Sequence, residues 1–203
     1  MTTPTESEPM EAVTPELLLA AYASGYFPMA VSRTAKELDW FYPEKRGILP
    51  LDTFHVPRSL AKLIRKIPFT ITTDEAFREV MLGCTERKST WINDEIISLY
   101  CELQRMGFAH SIECWQEGKL VGGLYGVALG RAFFGESMFS RTPNASRVAL
   151  VYLVQLLNDK GYQLLDTQFI NDHLKQFGVL EIPRAKYLEK LKKAVSEPPA
   201  ESW

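Results

Sequence analysis

Apolar positions along the chain follow two rhythms. From Ala109 to Gln116, Leu120 to Leu129 and Ala132 to Phe139, aromatic and β-branched residues recur between the turn signals Glu117-Gly118 and Gly130-Arg131. This predicts three successive strands in an antiparallel meander. Helices are predicted on either side. Thr14-Pro15-Glu16 supplies a hydroxyl N-cap, a first-turn proline and an acid ahead of Leu17 to Ala23, and Gly25 ends that helix. Pro57 to Lys66 places Leu60, Leu63 and Ile64 on one helical stripe. A strand at Pro68 to Thr72 leads into a helix opened by a Thr72-x-x-Glu75 capping box, and a further helix runs from Asn93 to Met106, closed by Gly107. After the meander the elements alternate: a helix to Asp159, a strand at Tyr162 to Gln168, a helix at Asn171 to Phe177, a strand at Val179 to Ile182, and a Lys-rich helix opening at Pro183. A meander followed by alternating elements predicts an α+β fold with one mixed sheet flanked by helices.

Composition narrows this picture without redirecting it. With 203 residues, 46% hydrophobic and 24% charged, the chain is long enough for one good-sized core or for one domain with a small appendage. Residues 1–12 are rich in Thr, Glu and Pro and are expected to form a disordered leader. A small N-terminal domain is expected over 13–45, a main domain over 46–195 and a flexible tail over 196–203. No segment has the length and purity of a membrane span, and Leu17 to Ser32 is broken by Gly25 and Pro28. Without a secretion signal, a cytoplasmic protein is expected. Cys84, Cys101 and Cys114 are too widely spaced for a metal knuckle, so no metal is expected; no cofactor is expected either. A net charge of −2 leaves any nucleic-acid binding to a local patch. One such patch is visible: Arg58, Lys62, Arg65 and Lys66 share a helical face with no acid among them, which suits phosphate binding.

Candidate chemistry concentrates in two places. Gly122, Gly123, Gly126 and Gly135 recur within strands, where glycine marks a bulge or a ligand close to the backbone. Glu136 sits among them, flanked by Phe133, Phe134, Met138 and Phe139. It is either a sheet-edge carboxylate pointing to water or the polar anchor of an apolar pocket. Asp166 and Gln168 project from one face of a strand expected near the sheet centre. A buried carboxylate there must be satisfied, so Asp166 either caps the following helix or pairs with Arg184, or else forms with Gln168 a polar pair that handles a proton. The aromatic clusters Tyr26-Phe27-Pro28-Met29 and Trp40-Phe41-Tyr42-Pro43 are packing elements or a stacking surface. His173 has no nucleophile in a recognisable elbow and is read as structural. Asn144-Ala145-Ser146 has the form of a glycosylation triplet, but with nothing pointing to secretion Asn144 is read as a helix cap.

Gly25-Tyr26-Phe27-Pro28, Trp91-Ile92, Gly135 to Arg141, Asn144-Ala145-Ser146, Asp166-Thr167-Gln168 and Glu181 to Arg184, in this order, resemble the bacterial leucyl/phenylalanyl-tRNA–protein transferases over roughly Glu16 to Leu191. The resemblance implies an acetyltransferase-like (GNAT) catalytic domain that moves Leu or Phe, and by extension Met, from Leu-tRNA or Phe-tRNA to the α-amino group of proteins beginning with Arg or Lys. That transfer would mark them for N-degron proteolysis, by an enzyme expected to be monomeric. It also implies that Asp166 and Gln168 relay the incoming amine's proton. Trp91, Glu136, Leu124, Phe134 and Met138 would line the aminoacyl-adenosine site, and Arg58, Lys62, Arg65 and Lys66 would contact tRNA. Met29 stands where some members carry tryptophan. Two rivals are an acetyl-CoA-dependent N-acetyltransferase and a non-catalytic tRNA-binding module. The first is disfavoured because Arg141-Thr142-Pro143-Asn144-Ala145-Ser146 lacks the glycines of a pyrophosphate loop. The second leaves the Asp166 and Gln168 face unexplained.

Overall fold

A computed structural model describes residues 13–30, 38–66, 68–87, 90–199, 201 and 203. The expected leader, 1–12, lies outside the described residues. Helix α1, Pro15–Ala23, starts as its cap predicts, with Thr14 Oγ1 accepting from Leu17 N at 3.2 Å. Strands β1, Phe27–Ala30, and β2, Leu38–Phe41, pair antiparallel and bring the two aromatic clusters together, Phe27 opposite Phe41. Next come β3, Lys45–Ile48, helix α2, Arg58–Ile64, strand β4, Thr70–Thr73, and helices α3, Phe77–Cys84, and α4, Asp94–Arg105. The meander follows as β5, Ala109–Gln116, β6, Lys119–Leu129, and β7, Ala132–Ser140. The chain continues through α5, Ala145–Asp159, β8, Leu164–Gln168, α6, Asp172–Lys175, β9, Leu180–Pro183, and α7, Arg184–Val195. No helix of the described residues is long and apolar enough to cross a membrane.

Seven strands form one mixed sheet in the order β4-β5-β6-β7-β8-β3-β9. Its one parallel pairing among the described strands, β7 with β8, puts the chain's two candidate motifs side by side: Phe134 lies opposite Asp166. That pairing runs only from Ala132 to Phe134. Beyond it the two strands share no register, and the space between them becomes the site. The core lies in two apolar clusters. One collects Leu18 and Tyr22 of α1 with side chains of α3, α4 and α7, and the other collects Leu60 of α2 with side chains of α5 and α6. Leu18 and Tyr22 of α1 and Phe27 of β1 share the first cluster with the sheet's own helices.

Several local expectations are corrected. Thr72 does not open a helix: it lies in β4, where its hydroxyl donates to Glu113 at 2.6 Å, and α3 starts at Phe77 without a side-chain cap. Asn144 stands at the N-cap position of α5 but in the left-handed region, φ 69°, and its side chain accepts from the Arg147 guanidinium rather than from a backbone amide of the helix. Ser140 caps instead, its Oγ accepting from Ser146 N at 2.9 Å. Within 196–203, the stretch expected as a tail, three of the described residues have partners in the fold. Arg131 binds Pro198 O and Glu197, and Trp203 stacks on His110 with ring centroids 4.2 Å apart. Strand β3 is not visible in the sequence pattern, since Lys45-Arg46-Gly47-Ile48 carries one β-branched residue. It nonetheless hydrogen-bonds both β8 and β9. Gly47 permits this, because a Cβ there would stand 2.8 Å from Thr167 Oγ1 and 2.9 Å from the Phe169 backbone.

Candidate functional site

The site begins with a bulge. Tyr125 pairs with Ser137 and Gly126 with Gly135, so Glu136 is an extra residue in β7 with no partner across the ladder. Gly126 makes the bulge possible, since a Cβ there would lie 2.3 Å from Phe134 O. Gly122 and Gly123 serve packing instead, closing on Ala145 and on Ile112 O. Gly135 alone of the four lines the cavity. The bulge also reverses the in-out alternation. Phe134 therefore turns into the first core cluster, fully buried, with its ring 4.8 Å from that of Tyr22, while Met138 turns towards the second.

Where β7 and β8 part, a cavity of about 500 Å³ opens. Leu124, Met138, Leu150, Leu153 and Leu165 give it an apolar wall, and Glu136, Gln168, Ser137 and His173 give it polar groups. This size and mixture suit one small-molecule ligand or the end of a larger one. Of the expected site residues, Glu136, Leu124, Met138 and Gln168 line it. Phe134 does not, for the reason above. Trp91 does not either, being packed at the edge of the first cluster. Arg58, Lys62, Arg65 and Lys66 lie elsewhere, all exposed on α2 or just past its end, and none forms an ion pair among the described residues.

Glu136 is neither a free edge carboxylate nor an isolated anchor. Its Oε1 accepts from Tyr22 Oη at 2.7 Å and from Gln168 Nε2 at 3.0 Å. Tyr100 Oη lies 2.5 Å from Tyr22 Oη and 3.3 Å from Glu136 Oε2. Burial, offset in part by the Tyr22 hydrogen bond, pushes the Glu136 carboxyl up to about 7. Burial, followed by the charge of Glu136, raises both phenols well above their ordinary value, so they remain donors.

Asp166 pairs with Arg46, not with Arg184. Arg46 Nε and Nη2 make a bidentate contact with it at 3.0 and 2.7 Å, while Nη1 donates to Gly25 O at 3.0 Å. The guanidinium lies between the rings of Phe27 and Tyr187, 4.3 and 4.7 Å from their centroids. Tyr187 Oη and Gln168 N complete the shell of Asp166 at 2.7 and 2.8 Å. Arg184 instead donates to Tyr42 O and covers the Tyr42 ring. Asp166 is fully buried and does not face the cavity. Its bond to the Gln168 amide holds Gln168 in the left-handed region, φ 56°, from which the Gln168 side chain reaches Glu136.

A family profile described as leucyl/phenylalanyl-tRNA protein transferase matches residues 48–192, and one described as that family's N-terminal domain matches 11–44. The chain belongs to this family. A leucyl/phenylalanyl-tRNA–protein transferase of Paramagnetospirillum magneticum is 57% identical over 93% of this chain and 92% of its own. One of Zymomonas mobilis is 55% identical over 91% of this chain and 70% of its own. A solved structure of L-PGS from Bacillus licheniformis is 17% identical, with a TM-score of 0.43 over 87% of this chain and 62% of that one, a likeness too slight to carry an argument.

Within this member of the transferase family, sequence reasoning missed Arg46, Tyr22, Tyr100 and Tyr187. Arg46 sits in a short charged stretch that gives no local signal. The tyrosines left a trace: a hydroxyl at a core position of an amphipathic helix needs a buried partner. Burial pushes the Cys84 and Cys114 thiols up to about 12 and raises that of Cys101 as well, so none of the three is poised as a thiolate nucleophile. Among the described residues no group of three or more His, Cys, Asp or Glu could hold a metal ion.

Proposed function

We propose that this chain transfers Leu or Phe from aminoacyl-tRNA to the α-amino group of proteins beginning with Arg or Lys, acting as a cytoplasmic monomer without a cofactor and marking its products for N-degron proteolysis. The observation that carries this reading is a single cavity with an apolar wall at Leu124 and Met138 and a polar end at Glu136 and Gln168. The wall suits a Leu or Phe side chain and rejects a charged one through desolvation. At the polar end, Glu136 receives the Gln168 Nε2 hydrogen, which leaves the Gln168 amide oxygen to accept a hydrogen from the attacking amine. An N-terminal amine has an ordinary pKa of about 7.7 to 8.0, so a fraction is neutral near pH 7 and no strong base is required. The amine nitrogen attacks the ester carbonyl and a C–N bond forms. The tetrahedral intermediate then expels the ribose oxygen, which takes up the amine's proton. Positioning carries most of the acceleration.

Asp166 takes a different part from the one that the resemblance implies. With Arg46, Tyr187 and the Gln168 amide occupying its oxygens, it holds Gln168 in place and leaves the proton to other groups. Glu136 is the carboxyl that meets the cavity. We read the sheet as acetyltransferase-like (GNAT), a reading supported by the short parallel contact of β7 and β8 and the site that opens beyond it.

An acetyl-CoA reading is weakened at the start of α5. Ala145 N donates to Thr142 O and Ser146 N to Ser140 Oγ, so these amides are not free to cradle a pyrophosphate. The deciding experiment incubates the protein with labelled Leu-tRNA, Phe-tRNA or acetyl-CoA and a peptide beginning with Arg. Label should reach the peptide from either tRNA and not from acetyl-CoA. Label entering from acetyl-CoA alone would replace this function with N-acetylation.

A further inference from the structure

A second set of polar and charged groups stands at the rim of the cavity and directly behind it. Arg87, exposed just after α3, lines it and donates through Nη2 to Met138 O. His173 of α6 lines it as well, and its Nε2 accepts from Arg147 Nε at 3.4 Å. Arg147 is fixed from the other side by Asn144 Oδ1 at 3.1 Å. The acids nearby are already matched. Glu86, also lining the cavity, is bound by Arg141 through both carboxylate oxygens, and Asp172 is bound by Lys175 at 2.7 Å. Among the described residues, neither Arg87 nor Arg147 forms an ion pair. Burial first, then Arg147 and Arg87, hold the His173 imidazole below its ordinary value. Both arginines therefore act on one small region.

We propose that Arg87 and Arg147, with His173 beside them, bind the phosphodiester that joins the donor's terminal nucleoside to the rest of its polynucleotide. The proposal rests on the transferase reading for the identity of the donor. One guanidinium that lines the cavity, Arg87, and a second held against the lining imidazole of His173, Arg147, neither in an ion pair among the described residues, offer the planar donors that a phosphate oxygen pair accepts. The site is separate from the basic face of α2, which does not line the cavity and would meet phosphates elsewhere on the donor. It would let the enzyme distinguish a nucleoside ester at the end of a chain from a free one.

The test is a binding titration with two amide-linked donors that cannot transfer: leucyl-adenosine, and leucyl-cytidylyl-adenosine with one phosphodiester. The unmodified protein should bind the dinucleotide roughly tenfold more tightly, as one charge-assisted contact implies. Arg147→Gln should reduce that ratio to roughly threefold or less. Because Arg147 lies in the first turn of α5 and binds Asn144, its change can disturb that helix, and Arg87→Gln, a change at an exposed residue, provides the same readout. A ratio near one in the unmodified protein, or a ratio unchanged in both variants, overturns the proposal. So does displacement of the dinucleotide by acetyl-CoA at comparable concentration, which would assign the rim to a cofactor's phosphates. Transfer from Leu-tRNA to an Arg peptide is measured separately. A full ratio without transfer would bring down the transferase reading and keep the phosphate site.

Discussion

The carboxylate of Asp166 receives Arg46, Tyr187 and the Gln168 amide within a shell closed to solvent, and this arrangement makes an unequal prediction for its members. Arg46→Met or Asp166→Leu alone leaves one buried charge without its partner and should cost about 3 to 5 kcal/mol in urea denaturation. The double change removes both charges and should regain much of that stability, yet turnover should stay low, because nothing then fixes Gln168. Recovery of turnover together with stability would show that Asp166 only supports the fold. Glu136 makes a prediction of a different kind. Its carboxyl moves from an ordinary 4.5 to about 7, so across that window the folded chain keeps a proton that the unfolded chain has released. Stability contributed by this residue therefore falls as pH rises from 4.5 to 7. Glu136→Gln removes the effect and should gain on the unmodified protein, by about 1 to 3 kcal/mol, between pH 5 and pH 8. An equal stability gap at both pH values would put Glu136 back in the ordinary carboxylate range.

Strand β7 shows how far local pattern reaches and where it stops. Its length, its turn at Gly130-Arg131 and its place in the meander follow from alternation and glycine punctuation, as do β5, β6, α4 and the cap of α1. The bulge at Glu136 does not, because it is a property of the pair: it depends on Gly126 of the neighbouring strand. For the same reason alternation could not reveal that Phe134 leaves the cavity while Met138 stays. Strand β3 was hidden because its edges are filled by two strands distant in sequence, and with it went Arg46, the true partner of Asp166. The two glycines of the bulge should respond differently to substitution. Gly126→Ala drives a methyl into the Phe134 carbonyl and should lower stability by about 1 to 3 kcal/mol, read from the denaturant midpoint. Gly135→Ala meets nothing nearer than 3.5 Å and should cost roughly half a kcal/mol or less, while narrowing the cavity and weakening donor binding. Similar losses at both positions would mean that Glu136 does not sit on a bulge held open by Gly126.

Over the whole molecule, charge is divided between a nearly neutral total, −2, and a basic face on α2. If that face meets tRNA, replacing Arg58, Lys62 and Arg65 with Ala should flatten the dependence of log affinity on log salt by about 0.9 for each phosphate that the protein no longer neutralises. An unchanged slope in filter binding would remove α2 from the interface. The site itself draws on distant parts of the chain. Tyr22 comes from α1, Arg46 from β3, Tyr100 from α4, Glu136 from β7, Gln168 from β8 and Tyr187 from α7. The Gln168 amide hydrogen points at the buried Asp166 carboxylate, behind Arg46 and its link to the Gly25 carbonyl. Water and hydroxide reach that hydrogen only when the entire clasp opens. In deuterated solvent it should accordingly persist among the slowest protons to exchange, on the schedule of global unfolding, while amides on the exposed surface of α2 are replaced early. A single backbone proton thus keeps time for the integrity of the whole enzyme.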